Sequence, residues 1–145
     1  MAGFRFRLES VLEWYRKQCE LEKDRLAACL ASLNGARESR LRLETERDAI
    51  ERDVISQSAV AASDLVALGL YRLRARKRHL ELSEEIRGLE RAAAEQSAKY
   101  VAAQRREKLM EQLRERRRLE HVYAENRELE SMAGESYLAQ WSRVR

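Results

Sequence analysis

Four side chains in this sequence have the chemistry of a soft metal ligand or a nucleophile: Cys19, Cys29, His79 and His121. A zinc site needs four such ligands converging from short, paired spacings. The two cysteines on one helix would stand about 15 Å apart along its axis, beyond disulfide reach, and both read as small seam residues. The histidines are remote in sequence, and a chain folded back near residue 60 brings them neither to each other nor to a shared cysteine. Each reads as a solvated helix position. There is no glycine-rich phosphate loop, CxxC, HExxH or nucleophile elbow. The carboxylates are spread along faces and form no pair in a cleft. The chain is therefore expected to be no enzyme and to hold no metal or cofactor.

What remains is charge. "RLRARKRH" gathers Arg72, Arg74, Arg76, Lys77 and Arg78, and "RERRR" gathers Arg114, Arg116, Arg117 and Arg118. Such clusters suit nucleic acid or acidic lipid. A basic-zipper reading needs strict leucine heptads after the basic region, and few follow here. Base stacking needs aromatics, and Tyr71 is the only one beside the first cluster. A solvated face or a docking patch for an acidic protein is the commoner use of such a cluster, and no nucleic-acid partner is expected.

These groups must be carried by helices. The chain has 145 residues, 37% of them charged, and no proline. Such a composition belongs to long helices and coiled coils, and the regular return of Leu, Ile, Val and Ala argues against disorder. Its 29 basic and 25 acidic groups nearly cancel to +4, the mixture of a salt-bridged helix surface. No apolar run is long enough to span a bilayer, and no Sec signal precedes the first helix. The expected compartment is the cytoplasm.

Steps of three and four from Leu8 pass through Leu12, Tyr15, Cys19, Glu22, Leu26, Cys29, Leu33, Ala36, Arg40, Leu43, Arg47, Ile50 and Val54. This is a coiled-coil seam, supported by i,i+4 pairs Glu13–Lys17, Glu38–Arg42 and Asp48–Arg52. Gly35 interrupts it, as a point of close helix approach or as a weak point costing about 1 kcal/mol. The register dissolves at "SQSAVAAS", where Ser63 offers a cap for a second helix. A second stripe runs Leu68, Ala75, Leu82, Ile86, Leu89, Ala93, Gln96, Tyr100 and Ala103, then drifts by one residue to Leu109/Met110, Leu113, Leu119, Val122/Tyr123, Leu129 and Met132.

The predicted fold is all-α: a long two-helix antiparallel coiled-coil hairpin over residues 1–145, with a helix at 4–56, a turn at 57–63 and a longer, overhanging helix at 64–141. A single continuous helix dimerising in parallel is the alternative. In the hairpin, residue i faces roughly residue 120 − i, so the second helix overhangs from about Arg117 by some 35–40 Å. That overhang still carries Leu119, Val122, Tyr123, Leu129, Met132, Tyr137, Leu138 and Trp141. It is expected to be a binding surface, unless the tail folds back or frays after Gly134.

The opening "FRFRLESVLEWYRKQCELEKDRLAACLASL" places an aromatic-basic repeat before the first helix. With Phe4, Phe6, Leu8, Val11, Leu12, Arg16 and Glu20 or Glu22 it resembles the start of the flagellar FliJ family. "KLMEQLRERRRLEHVYAENRELESMAGESY", through Leu109, Glu111, Leu113, Arg116 and the acids from Glu125 to Glu130, is similar to that family's close. The resemblance implies a cytoplasmic component of the type III protein export apparatus, peripherally associated with the inner membrane at the flagellar base and serving motility. It implies a stalk similar to the γ subunit of rotary ATPases. Such a stalk binds the hexameric export ATPase, promotes its assembly and activity, couples it to the cytoplasmic domain of the export gate and escorts export chaperones. The expected ATPase contacts are Phe4, Arg5, Phe6, Arg7, Leu119, Val122, Tyr123 and Leu129; the expected gate contacts are Leu70, Tyr71 and Leu73. The other readings are an injectisome stalk, a generic coiled-coil scaffold and a basic helical nucleic-acid binder.

Overall fold

The computed structural model describes residues 3–144. They form two helices, α1 (Glu9–Ile55) and α2 (Ala62–Arg143), packed against each other as an antiparallel hairpin in which α2 is much the longer. By internal packing the chain divides into two units, Met1–Glu20 with Ala102–Arg145, and Leu21–Val101.

Helix begins at Glu9, five residues later than predicted. The period-2 opening explains the delay: Phe4 and Phe6 are half-buried while Arg5 and Arg7 face solvent. That alternation fits an extended strand-like segment. The chain enters the helix through a hydrogen bond from the Glu9 amide to the Phe6 carbonyl (3.2 Å), with the Glu9 carboxylate favourably placed at the positive end of the dipole.

The turn lies at 56–61, slightly earlier than expected. Helix α1 tapers off as the Ser56 hydroxyl donates to the Asp53 carbonyl (3.0 Å) and the Gln57 amide to the Val54 carbonyl (3.4 Å). No described residue takes a positive φ, so the reversal needs no glycine. The Ala61 carbonyl accepts from the Asp64 and Leu65 amides. Ser63 is thus inside the first turn of α2 and is not its cap.

In the Leu21–Val101 unit, Leu33, Ala36 and Ile86 form a buried cluster joined by Leu89, and Leu68, Ala75, Leu82 and Ala93 are buried along the same seam. Two polar positions of the predicted stripes meet here, the Gln96 amide donating to the carboxylate and the backbone carbonyl of Glu22. Cross-helix pairs Arg72–Glu51 (2.9 Å), His79–Glu44 (2.9 Å) and Arg37–Glu90 (3.0 Å) fix the register. In these pairs residue i meets roughly residue 123 − i to 127 − i, a few positions beyond the expected partner, while Gln96 meets Glu22 two positions short of it. A Cβ built on Gly35 would meet nothing within 4 Å, so this glycine allows no close approach and is simply a weak point. Of the predicted i,i+4 pairs Glu38–Arg42 forms (3.9 Å), whereas Asp48 pairs with its neighbour Arg47 (3.6 Å).

In the other unit, Leu12 is fully buried, with Cys19 and Ala103 close behind. Here the sequence-based register needs correction. From Ala103 the buried seam does not drift; it keeps its phase through Glu107, Met110, Arg114 and His121, all at least half-buried. Leu109, Leu119, Val122 and Tyr123, followed as the continuing core stripe, face solvent. The stems of Glu107 and Arg114 and the His121 ring fill the seam, with Arg114 paired to Glu9 and His121 beside Glu125.

Candidate docking surfaces

In the extended segment ahead of α1, Phe4 stacks edge-on against His121, ring centroids 5.7 Å apart. The register thus puts Phe4 opposite residue 121, five positions past the expected 116. FRFR and α2 enclose a groove of about 700 Å³ lined by Phe4, Phe6, Leu8, Leu113, Arg117 and His121, among others. Two ion pairs hold the helices together beside it, Arg114–Glu9 at 3.2 Å and Arg16–Glu111 at 3.4 Å. Arg118 makes a forked pair with Glu115 (2.9 and 2.7 Å). That hydrogen-bonded pairing holds the Glu115 carboxyl below its ordinary range and the Arg118 guanidinium above its own. His121 also approaches Glu125 (3.7 Å). It is therefore a half-buried seam residue, and the solvated position expected for it is not what the fold provides.

Among the described residues beyond His121 only Glu125 is even half-buried; residues 126–144 are exposed throughout. Helix continues through Gly134 to Arg143, so the tail neither folds back nor frays there. Its exposed apolar groups are Val122, Tyr123, Leu129, Met132, Tyr137, Leu138, Trp141 and Val144. The Trp141 indole N–H donates to the Tyr137 hydroxyl at 2.9 Å, which fixes both rings on the surface.

The residues expected to touch an ATPase fall on two faces of α2. At about 100° per residue, the positions that meet FRFR (113, 117, 120 and 121) and the positions 119, 122, 123 and 129 lie roughly half a turn apart. FRFR and the outer stripe are separate surfaces at the same level of the helix.

In the Leu21–Val101 unit, Leu65, Val66, Leu70, Leu73 and Leu80 are all more than half exposed. Tyr71, expected beside Leu70 and Leu73, faces the other way. It is half-buried on the seam, and its hydroxyl is covered with no hydrogen-bond partner. Burial, followed by the nearby Glu46 and Glu51 carboxylates and opposed by Arg47, raises its pKa above the ordinary phenol value. One flat partner can touch Leu70 and Leu73 but not Tyr71. His79, also expected to be solvated, sits half-buried against Glu44.

The basic clusters are partly consumed by the fold. Arg72 pairs with Glu51, Arg78 with Glu81, Arg114 with Glu9, Arg117 with Glu120 and Arg118 with Glu115. Among the described residues Arg74, Arg76, Lys77 and Arg116 are left exposed without an acidic partner. Among the same residues no group of three His, Cys, Asp or Glu side chains could hold a metal ion. No helix there is long and apolar enough to cross a membrane. Sequence reasoning missed the polar seam members Glu107, Arg114 and His121. The signal was available: the three-four register through Ala103 reaches all of them if carried on without a shift.

Comparison with known proteins finds no matching family model, no matching curated protein and no matching solved structure.

Proposed function

We propose that this chain is a non-enzymatic coiled-coil stalk of a flagellar type III export apparatus, working with a hexameric export ATPase whose ring encloses the free end of α2. One observation carries the reading. The apolar side chains of α2 beyond residue 121 are spread around roughly two-thirds of its circumference. A partner lying on one side would reach all of them but Met132, whereas an enclosing ring covers Met132 as well. The resemblance of "FRFRLESVLEWYRKQ" to the FliJ opening points the same way. In this role FRFR clamps the end of the first helix to the second just below the enclosed segment. Leu70 and Leu73 face the cytoplasmic domain of the export gate, and export chaperones are further partners. The protein then works in the cytoplasm, held at the inner membrane through these contacts.

The test is ATP hydrolysis and hexamer formation by the cognate export ATPase, titrated with this protein and with a form truncated at Ser131. Stimulation by the full chain, lost on truncation while helicity per residue persists, supports the stalk. No effect of the full chain on rate or assembly leaves a coiled-coil scaffold as the better reading.

A further inference from the structure

The segment ahead of α1 has main-chain chemistry that its role as a clamp leaves unused. Residues 3–6 are not helical, and the side chains alternate, Phe4 and Phe6 half-buried and Arg5 and Arg7 in solvent. Among the described residues the main chain of 4–6 makes one hydrogen bond, the Phe6 carbonyl accepting from the Glu9 amide. The amides of Phe4, Arg5 and Phe6 and the carbonyls of Phe4 and Arg5 have no partner there. An extended segment with open edges is a template for a further strand.

Beside it lies the groove of about 700 Å³, with Phe4, Phe6, Leu8 and Leu113 as its apolar walls and Arg5 and Arg7 on its border. The acids nearby are already occupied, Glu120 by Arg117 at 3.1 Å and Glu9 by Arg114 at 3.2 Å. Arg5 and Arg7 have no acidic partner among the described residues. The groove is therefore apolar, and the charge left free on it is positive.

We propose that FRFR is a site of β-strand addition for an extended segment of a partner protein in which acidic and apolar residues alternate. The partner's main chain pairs with the free groups of residues 4–6, its acids meet Arg5 and Arg7, and its apolar side chains enter the groove. Alternation on a strand sends the two kinds of side chain to opposite faces, which is how FRFR itself sets out its arginines and phenylalanines. A partner helix has its own main-chain groups bonded internally and offers nothing to those of FRFR. Nucleic acid would satisfy the arginines, but bases stack on open aromatic faces, and Phe4 and Phe6 are half-buried, Phe4 against His121.

The proposal does not rest on the stalk reading, and its test contains no ATPase, so either can fail alone. The probe is a labelled synthetic peptide of alternating Glu and Val, titrated with the full chain and followed by fluorescence anisotropy. It should bind about tenfold more tightly than a peptide of the same composition with its Glu and Val in separate blocks. Arg5→Glu/Arg7→Glu should weaken binding at least about tenfold with circular dichroism unchanged, whereas Arg105→Glu/Arg106→Glu should leave it intact. Two further peptides, N-methylated at the odd or at the even residues, read the main chain without altering the protein. Methylation of the paired edge should abolish binding, and methylation of the other edge should spare it. Equal binding of the alternating and block peptides would overturn the proposal. So would equal behaviour of the two methylated peptides, or binding of single-stranded oligothymidylate by a chain that ignores the alternating peptide.

Discussion

The two units are built from the same helices, yet they treat apolar residues in opposite ways. In Leu21–Val101 the seam is aliphatic, with Leu33, Ala36, Leu82 and Ile86 removed from water. In the unit that contains the end of α2, the seam past Ala103 is filled by Glu107, Met110, Arg114 and His121, while Leu119, Val122, Tyr123 and Leu129 are left outside. Burial of a leucine stabilises a fold by about 1.5–3 kcal/mol, so this inversion sacrifices stability. The first unit holds the hairpin together. The second keeps its apolar groups available for something else.

The sharpest contrast comes from truncating one leucine-sized residue in each. Ile86→Ala, at a 3% exposed position, should cost about 2–4 kcal/mol through lost burial and a cavity. Leu129→Ala, at 48% exposure, should change stability by no more than about 0.5 kcal/mol. Urea titration of both variants checks this. A comparable loss at Leu129 would mean that the outer stripe is packed in solution after all.

Leu12 is the pivot of the weaker unit, the one fully buried large side chain among the described residues. Leu12→Ala should cost about 2–3 kcal/mol, read most clearly as faster amide exchange at 102–121 with the Leu33–Ile86 cluster still protected. Uniform loss of protection would show that the two units unfold as one.

Gly35 should behave in the opposite sense. Its space is open and its φ is not positive, so Gly35→Ala should stabilise by about 1 kcal/mol through helix propensity. Destabilisation would reveal a close contact at that point.

The smallest effect is expected at Tyr71. Its covered hydroxyl has no partner, so Tyr71→Phe should be neutral or stabilising by up to about 1 kcal/mol. Because the folded state raises this pKa, the fold favours the neutral phenol. Stability falls as pH climbs through the ordinary tyrosine range near ~10, where the unfolded chain ionises first. Melting of Tyr71→Phe should show less alkaline destabilisation than the parent chain; identical pH profiles would remove the phenol from the explanation.

The seam of α1 was legible because every position from Leu12 to Val54 on the three-four walk is at least half-buried, including the polar Glu22, Arg40 and Arg47. Periodicity survives polar substitutions when the flanking register is strong. It misled past Ala103 for a related reason. Leu109, Leu119 and Leu129 are the more hydrophobic residues there, and following hydrophobicity instead of phase moved the stripe to the wrong face. The turn position came within a couple of residues of the true one, but the register did not, because a turn without glycine or proline leaves its centre unmarked. Pairing of His79 with Glu44 and of Phe4 with His121 depends on that register. Neither was within reach of the sequence.

The central claim is that a ring surrounds the free end of α2, and opposite faces of that end test it directly. Met132→Glu and Leu138→Glu put a charge on positions separated by roughly 120° on the wheel, and Leu129→Glu and Trp141→Glu add two more directions. Stimulation of the export ATPase by each variant is the measurement. An enclosing ring predicts that every one of the four loses most of its stimulation while remaining helical. Loss confined to one face, with the others stimulating like the parent chain, would contradict enclosure and leave a partner bound on a single side.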